Sequence, residues 1–205
     1  MLDFQKTVNR DPGAISSEEL VEAARLYDEK RYEDALAQYA LLADQGDELT
    51  ARWAGWIISK GLCARNNPQE AIRYYILAAE LGSKAGMFDL AGMYARVGEH
   101  QRAFESYERS AVEGYLPALY RVGRCYHFGK GVDRNEEKAI KYLQEAASQG
   151  HIFAKGWLMR RRLVRNYSRV LGWIYYKFWC LKESGEIAKI VMYEEEHPTD
   201  ERLME

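Results

Sequence analysis

Residues 118–150 read ALYRVGRCYHFGKGVDRNEEKAIKYLQEAASQG, and the second half of this stretch decides the fold. In it, Ala139 and Ala147 stand eight residues apart, and Gly150 follows three residues later. The same frame occurs four times, at intervals of 36, 32 and 36 residues. The other three copies are Ala35, Ala43 and Gly46; Ala71, Ala79 and Gly82; and Ala103, Ala111 and Gly114. A fixed period of this length indicates a repeat architecture.

The repeated frame has a helical interpretation. Residues at i and i+8 lie on one face of an α-helix, so alanines there allow a neighbouring helix to approach closely. Large side chains stand between them at i+4, namely Tyr39, Tyr75, Tyr107 and Leu143. Glycine adopts a left-handed backbone at low cost and therefore ends the helix. The frame predicts the second helix of each repeat.

A first helix is predicted before each frame from a small residue that stands three positions before a larger one. The pairs are Ala23 and Leu26, Gly55 and Ile58, Ala91 and Tyr94, and Gly123 and Tyr126. From the larger residue to the next frame there are 9 residues in repeats one and three, and 13 in repeats two and four. We therefore expect the connection between the two helices to be longer in repeats two and four.

The fourth repeat, residues 118–150, strongly resembles the Sel-like repeat family, which is related to tetratricopeptide repeats. Residues 66–82, NNPQEAIRYYILAAELG, are similar but lack the GKGV phrase found at 129–132. The resemblance extends over about residues 17–160. It implies an all-α fold, a right-handed α-α solenoid of about four and a half antiparallel helix pairs. It also implies a scaffold or adaptor role in a bacterial signalling, envelope or surface-polysaccharide pathway.

The ends of the chain depart from the repeat pattern. We expect a flexible N-terminal arm at 1–15, four repeats at 16–150, a modified capping half-repeat at 151–182 and an acidic tail at 183–205. Ser16 and Glu19 fit a capping box at the start of the first helix.

The segment 151–182 is basic and aromatic. It carries eight Lys or Arg residues and no acid, whereas 183–205 carries eight acids and two basic residues. Residues 170–181, VLGWIYYKFWCL, are apolar on all sides and too few to span a bilayer. The favoured interpretation is a cap that packs on the fourth repeat.

Three alternatives for this segment stay open. The basic residues could meet anionic lipid while the rings settle at the membrane interface. The apolar run could pair with a second copy in a homodimer. The acidic tail could fold back on the arginines. The residues predicted to dock on a membrane or partner are Arg161, Arg162, Arg165, Arg169, Trp173, Tyr176 and Trp179.

A partner-binding groove is implied by the tetratricopeptide likeness, in which first helices line the concave face. The positions that this assigns to a partner are Tyr27, Arg52, Trp56, Phe88, Tyr120, Arg124 and His127. Aromatic and arginine side chains anchor interfaces because they bury area while they keep a polar group. We expect a peptide or helix of another protein as the ligand.

No catalytic, cofactor or metal site is predicted, and we expect a non-enzymatic protein. Gly129-Lys130-Gly131 is no phosphate loop, because Gly131 stands where a Ser or Thr must bind magnesium. The sequence contains no H-E-x-x-H, C-x-x-C or G-x-S-x-G motif. Two alternatives are a helical enzyme with an unrecognised site and nucleic-acid binding through 155–169, which the net charge of −2 disfavours.

The cellular location is predicted from what the sequence lacks. Residues 1–8 do not have the basic and then apolar pattern of a signal peptide. Cys63, Cys125 and Cys180 are an odd number at scattered spacings, which favours a reducing compartment. We expect a cytoplasmic protein, or one on the inner face of a membrane.

Overall fold

The computed structural model describes residues 17–64 and 67–166, and within them every regular element is an α-helix. The first helices of the repeats are α1 (Ser17–Asp28), α3 (Glu48–Ser59), α5 (Lys84–Arg96), α7 (Leu116–Phe128) and α9 (Ile152–Asn166). The second helices are α2 (Tyr32–Asp44), α4 (Pro68–Glu80), α6 (His100–Val112) and α8 (Glu136–Ser148). Four pairs and one further first helix are therefore present, as the sequence predicts.

The described residues form two compact units, which divide between Tyr115 and Leu116. In the first unit, each helix from α1 to α5 packs on the helix that follows it in the chain. In the second unit, α7 packs on α8 and α8 packs on α9. This consecutive pairing confirms an all-α repeat fold of the solenoid class.

The connections within the pairs alternate in length as predicted. Residues 29–31 and 97–99 join the helices of repeats one and three, whereas 60–67 and 129–135 join those of repeats two and four. The frame glycines Gly46, Gly82, Gly114 and Gly150 have φ between 81° and 98°, so each ends its helix in the left-handed region. Lys30 holds the same conformation, at φ 62°, in the connection of repeat one.

The packed stripe of each second helix is wider than the predicted one. Positions i and i+4 are buried in all four repeats, and the i+8 alanine is buried in the first three and half-buried in the fourth, at Ala147. The position one residue earlier is fully buried in each repeat, as Leu42, Ala78, Ser110 and Ala146. Because 3.6 residues make a turn, i+7 lies closer to the line through i and i+4 than i+8 does. The alanine at i+8 marks the edge of the stripe.

The small residues of the first helices make room for the large residues of the second helices. A Cβ added at Gly55 would lie 3.0 Å from the ring of Tyr75, and one added at Gly123 would lie 2.8 Å from Cγ of Leu143. At Gly92, the nearest atom is the Tyr107 hydroxyl at 3.8 Å, so that position has space. The close approach within a repeat therefore depends on Gly55 and Gly123.

Several sequence predictions lie outside the described residues. These are the arm at 1–15, Ser16, the docking residues Arg169, Trp173, Tyr176 and Trp179, the run 170–181 and the tail 183–205. Arg165 lies in α9. None of the described helices is both long enough and apolar enough to cross a membrane.

Candidate partner-binding surfaces on the first helices

In the first unit, an aromatic cluster joins α1 to α3. The ring centroid of Tyr27 lies 5.5 Å from that of Trp53 and 5.7 Å from that of Trp56, and the two tryptophans are 5.5 Å apart. Tyr39 of α2 stacks on Trp53 at 6.1 Å. The predicted partner residues Tyr27 and Trp56 therefore lie together, and part of their ring surface packs within the protein.

An ion pair joins α3 to α5. Arg52 Nε donates to Oδ2 of Asp89 at 2.5 Å, and the exposed fractions of the two side chains are 32% and 19%. Burial raises the pKa of Asp89 above its ordinary value, because the loss of hydration outweighs the attraction of the Arg52 guanidinium. This predicted partner residue is thus held by an acid that sequence reasoning missed.

Phe88, on α5, lies in a second ring cluster of the first unit. Its centroid is 5.3 Å from those of Tyr107 and Tyr115. On the adjacent side of α3, the Ser59 hydroxyl is 3.1 Å from the hydroxyl of Tyr75, and Arg96 donates to the Ser59 carbonyl at 3.1 Å. The first helices of this unit are therefore joined by rings and by polar contacts.

In the second unit, two rows of side chains face each other across α7 and α9, at successive i, i+4 and i+8 positions. We call them the α7–α9 ladder: Tyr120, Arg124 and Phe128 on α7, with Phe153, Trp157 and Arg161 on α9. Stacked cations hold the rows, since the Arg124 guanidinium lies 5.8 Å from the Tyr120 ring and 5.3 Å from the Phe128 ring. On α9, the Arg161 guanidinium lies 5.7 Å from the Trp157 ring.

Two histidines connect the rows of the ladder. The His127 ring lies edge-on to Trp157 at 5.0 Å, and the His151 ring stacks on Tyr120 at 4.7 Å. Tyr120 also approaches Phe153, at 6.1 Å. The predicted partner residues Tyr120, Arg124 and His127 are thus brought to one surface, together with rings from α9.

A carboxylate from α8 enters this surface. One oxygen of Glu136 lies 2.7 Å from Nδ1 of His127, and the other oxygen pairs with Arg161. Burial lowers the pKa of His127, and the neighbouring cations of Arg134, Arg161 and Arg124 lower it further. Because an ionised carboxylate only accepts, the His127 tautomer that carries its proton on Nδ1 donates to Glu136. Arg161, predicted as a docking residue, is held within the unit.

Two features of the described residues bear on metal binding and on nucleophilic chemistry. No group of three or more His, Cys, Asp and Glu side chains among them is arranged to hold a metal ion. Burial raises the pKa of the Cys125 thiol to about 11, so this cysteine is protonated at neutral pH and is a poor nucleophile.

Most of what the sequence missed depends on contacts between helices. Asp89 is the only acid in α5, two positions before the small residue Ala91, and this isolation is a signal that could have marked it. Glu136 opens α8 as one of two adjacent acids, so nothing in the sequence separates it from a solvated helix end.

Comparison with known proteins places the fold in a family. The Sel1 repeat model matches residues 51–83 and 116–151, which cover the second and fourth repeats. A crystal structure of a Sel1 repeat protein from Oxalobacter formigenes is 34% identical, with a TM-score of 0.51, and the match covers 60% of this chain and 96% of that one. A protective antigen of uropathogenic Escherichia coli with an SLR fold is 25% identical, with a TM-score of 0.61, over 83% of this chain and 38% of that one.

This chain is also similar in sequence to a fungal protein. Chitin synthase regulatory factor 1 of Schizosaccharomyces pombe is 32% identical over 111 residues, 51% of this chain and 24% of that protein. The chain thus spans about a quarter of this relative. Since the relatives include fungal and bacterial proteins, the bacterial origin and the cytoplasmic location stay predictions. Sel1 repeat proteins are generally protein-interaction scaffolds and typically not enzymes, and the matched repeats together with the helix-pair fold show that this chain belongs to the Sel1 repeat family.

Proposed function

We propose that this protein is a non-enzymatic scaffold or adaptor that holds a peptide or helix of another protein against its first helices. The observation that carries the proposal is the concentration of rings and arginines on these helices, in the Tyr27 cluster, around Phe88 and in the α7–α9 ladder. Such side chains dominate the energetics of protein interfaces. The residues proposed to bind this partner are the seven that the sequence analysis assigns to the groove.

The relative from fission yeast suggests what kind of partner this is. That protein is named as a regulatory factor of an enzyme, a chitin synthase. By analogy, the partner of this chain is an enzyme or assembly whose activity or position the scaffold controls. A signalling, envelope or surface-polysaccharide pathway would contain partners of this kind.

The proposal is tested by photo-crosslinking from defined positions in cells. A photoreactive phenylalanine replaces Tyr27 or Phe88 on the first helices, and Val112 on α6 is the matched control because its side chain is 81% exposed. We expect the same partner protein to be crosslinked from Tyr27 and Phe88 and not from Val112. Crosslinks from Val112 alone would place the partner on the second helices, and the absence of any protein adduct would count against a scaffold.

A second candidate function is attachment to an anionic membrane surface. It is favoured by α9, which carries Lys155 and four arginines and no acid. Basic side chains of this density are attracted to anionic lipid. Flotation of the full chain with vesicles that contain phosphatidylglycerol tests it. Salt-sensitive flotation that disappears when Arg160 and Arg162 are changed to glutamine supports attachment, and the absence of flotation refutes it.

A further inference from the structure

We propose that the α7–α9 ladder is a binding site for an acidic segment of a partner protein that also carries apolar or aromatic side chains. This inference rests on the proposed scaffold function and adds the chemistry of the ligand. It concerns the second unit alone, and it is carried by the charges, the stacked geometry and the carboxylate that the ladder already holds.

Charge complementarity is the first argument. The two first helices of this unit, α7 and α9, contain seven Lys or Arg residues and no Asp or Glu. Two of them, Arg124 and Arg161, lie in the ladder, where Glu136 of α8 supplies one carboxylate. In the first unit, by contrast, α1 contains four acids and one arginine. A surface with an excess of one sign of charge attracts segments of the other sign and repels like-charged ones. The ladder therefore selects an acidic ligand.

The second argument is that the ladder already holds a carboxylate. Glu136 from α8 reaches Arg161 with one oxygen and His127 with the other. Arg161 is at the same time stacked on Trp157, so its planar guanidinium is held in a fixed orientation. A guanidinium that is fixed in this way loses little conformational freedom when it binds a carboxylate. The contact with Glu136 shows the kind of group that this arrangement accepts.

The third argument concerns the apolar part of the ligand. Phe128 ends the α7 row with 52% of its surface exposed, and Tyr120, Phe153 and Trp157 are half-buried. Exposed ring surface beside arginines suits a segment in which carboxylates alternate with apolar side chains. A lipid headgroup or a nucleic-acid phosphate would use the cations, but the rings here are packed on one another and on guanidinium groups. Insertion into a membrane or base stacking would have to separate these contacts.

The test uses the full chain and a fluorescein-labelled synthetic peptide in which glutamates alternate with phenylalanine and leucine. Binding is measured by fluorescence anisotropy. The control peptide has glutamine in place of every glutamate. We expect the acidic peptide to bind more tightly by about tenfold or more, and the difference to shrink as salt is raised. Equal binding of the two peptides would overturn the proposal.

Paired variants locate the site. Arg124→Gln with Arg161→Gln removes both ladder guanidinium groups, and we expect affinity to fall by about tenfold or more. Arg73→Gln with Arg102→Gln removes the same net charge from guanidinium groups stacked on Tyr74 and Tyr94 in the first unit. This control is expected to change affinity by less than about twofold. If both double variants weaken binding equally, only net charge matters and the proposal is wrong.

Two further variants keep the test valid if the double glutamine variant does not fold. Arg124→Lys with Arg161→Lys keeps the charge but loses the planar stacked donors, and weaker binding is still expected. Phe128→Ala removes an exposed ring, and we expect an affinity loss of about threefold or more with an unchanged melting temperature. Wild-type affinity in both variants would overturn the proposal.

Other occupants are outcomes of the same assay. Vesicles of phosphatidylcholine with phosphatidylglycerol, and oligo-deoxythymidine, are added as competitors of the peptide. If either binds the ladder more tightly than the peptide and loses binding in the double glutamine variant, the ligand is lipid or nucleic acid and the proposal fails. A chain with amides in place of the eight acids of 183–205 tests the remaining occupant. Peptide binding by that chain alone would identify the tail as the ligand and overturn the proposal.

The two proposals fail separately. Crosslinking from Tyr27 and Phe88 reports on the first unit, whereas the peptide assay reports on the second. A partner crosslinked in the first unit without peptide binding in the second refutes only the acidic ligand. Peptide binding to the ladder without any protein adduct in cells refutes the scaffold as a function and leaves the chemistry of the site intact.

Discussion

The α3–α5 contact of the first unit and the α7–α9 contact of the second unit are made by different chemistry. Between α3 and α5, the contact is an ion pair of opposite charges, Arg52 with Asp89. Between α7 and α9, the contact is made by rings with stacked cations, and the carboxylate comes from Glu136 on the second helix α8. Measured from the small residue of each first helix, Asp89 and Arg121 occupy the same position, two residues before Ala91 and Gly123. Equivalent positions of the repeat can therefore carry side chains of opposite charge.

Because the two contacts differ, removal of one side chain from each should lower the free energy of unfolding by different amounts. Asp89→Ala leaves the Arg52 guanidinium, two-thirds buried, without its carboxylate, and we expect the free energy of unfolding to fall by about 3 kcal/mol. Glu136→Ala should cost about 1 kcal/mol or less, because Arg161 is 40% exposed and can be hydrated. Urea denaturation, with hydrogen exchange to assign the loss to a unit, measures both.

The double variant Arg52→Leu with Asp89→Leu is the control for this prediction. It removes both charges and fills the space with apolar groups, so its stability should lie near that of the wild type. Equal losses for Asp89→Ala and Glu136→Ala would show that the two contacts do not differ in energy.

A second prediction tests the close approach of the two helices in a repeat, independently of the charged contacts. Gly123→Ala puts a methyl group 2.8 Å from Leu143, and we expect a loss of about 2 kcal/mol from overpacking. Gly92→Ala, on α5, meets only the Tyr107 hydroxyl at 3.8 Å and should stabilise the protein by about 0.5–1 kcal/mol through helix propensity. Thermal unfolding of both variants is the measurement. A stabilised Gly123→Ala protein would contradict the close approach.

A third prediction separates the units by pH. His127 and His151 have pKa values lowered by burial, so the unfolded chain binds protons that the folded unit does not. Stability of the second unit should therefore fall as pH decreases below the ordinary value of 6.5. In the first unit, the raised pKa of Asp89 acts oppositely, since acidification towards 3.8 protonates the folded form first and relieves its burial. Hydrogen exchange across this range should show α7 losing protection before α3.

The control for the pH experiment is His127→Gln with His151→Gln. These changes remove both imidazoles, so the acid-induced loss of protection in α7 should diminish. An unchanged pH profile would mean that other groups cause it.

The smallest expected effect concerns the connection of repeat one. Lys30 holds φ 62°, where Gly98 stands at φ 85° in the corresponding connection of repeat three. Because a side chain is disfavoured in this region, Lys30→Gly should stabilise the first unit by about 0.5–1 kcal/mol, and Gly98→Ala should destabilise it by about 1 kcal/mol. Thermal unfolding checks the pair, and a destabilised Lys30→Gly protein would refute the strain.

Much of the fold could be predicted because it follows from local spacing. The alanine and glycine frame located the second helices, and the 9- and 13-residue intervals predicted which connections are long. The fully buried i+7 positions, such as Ser110, were missed because Ser110 is polar and its residue type varies among the repeats. Local pattern thus predicts the helices better than it predicts the exact stripe that packs.

The candidate surfaces were predicted only in part, because they depend on contacts between distant residues. Arg52 and Tyr120 were chosen by their place in the frame, but the partners Asp89 and His151 lie 37 and 31 residues further along the chain. Phe153 and Trp157 are four residues apart and share a face of α9, yet their contact with α7 depends on how α9 is rotated. Spacing alone does not give that rotation, and the role of these residues in binding stays a prediction.

The contact of Gly55 with Tyr75, and of Gly123 with Leu143, bears on how such a protein can change through insertions in its gene. Both residues of each contact lie in the helices and outside the connection between them, so these close contacts are made without the connection. The same pairing of helices occurs with four residues fewer in repeats one and three. An in-frame gain or loss of four codons at this point therefore leaves the packed register intact. Apart from the buried Cys63 in the connection of repeat two, the connections are where new surface can be added while the packed helix pairs are kept.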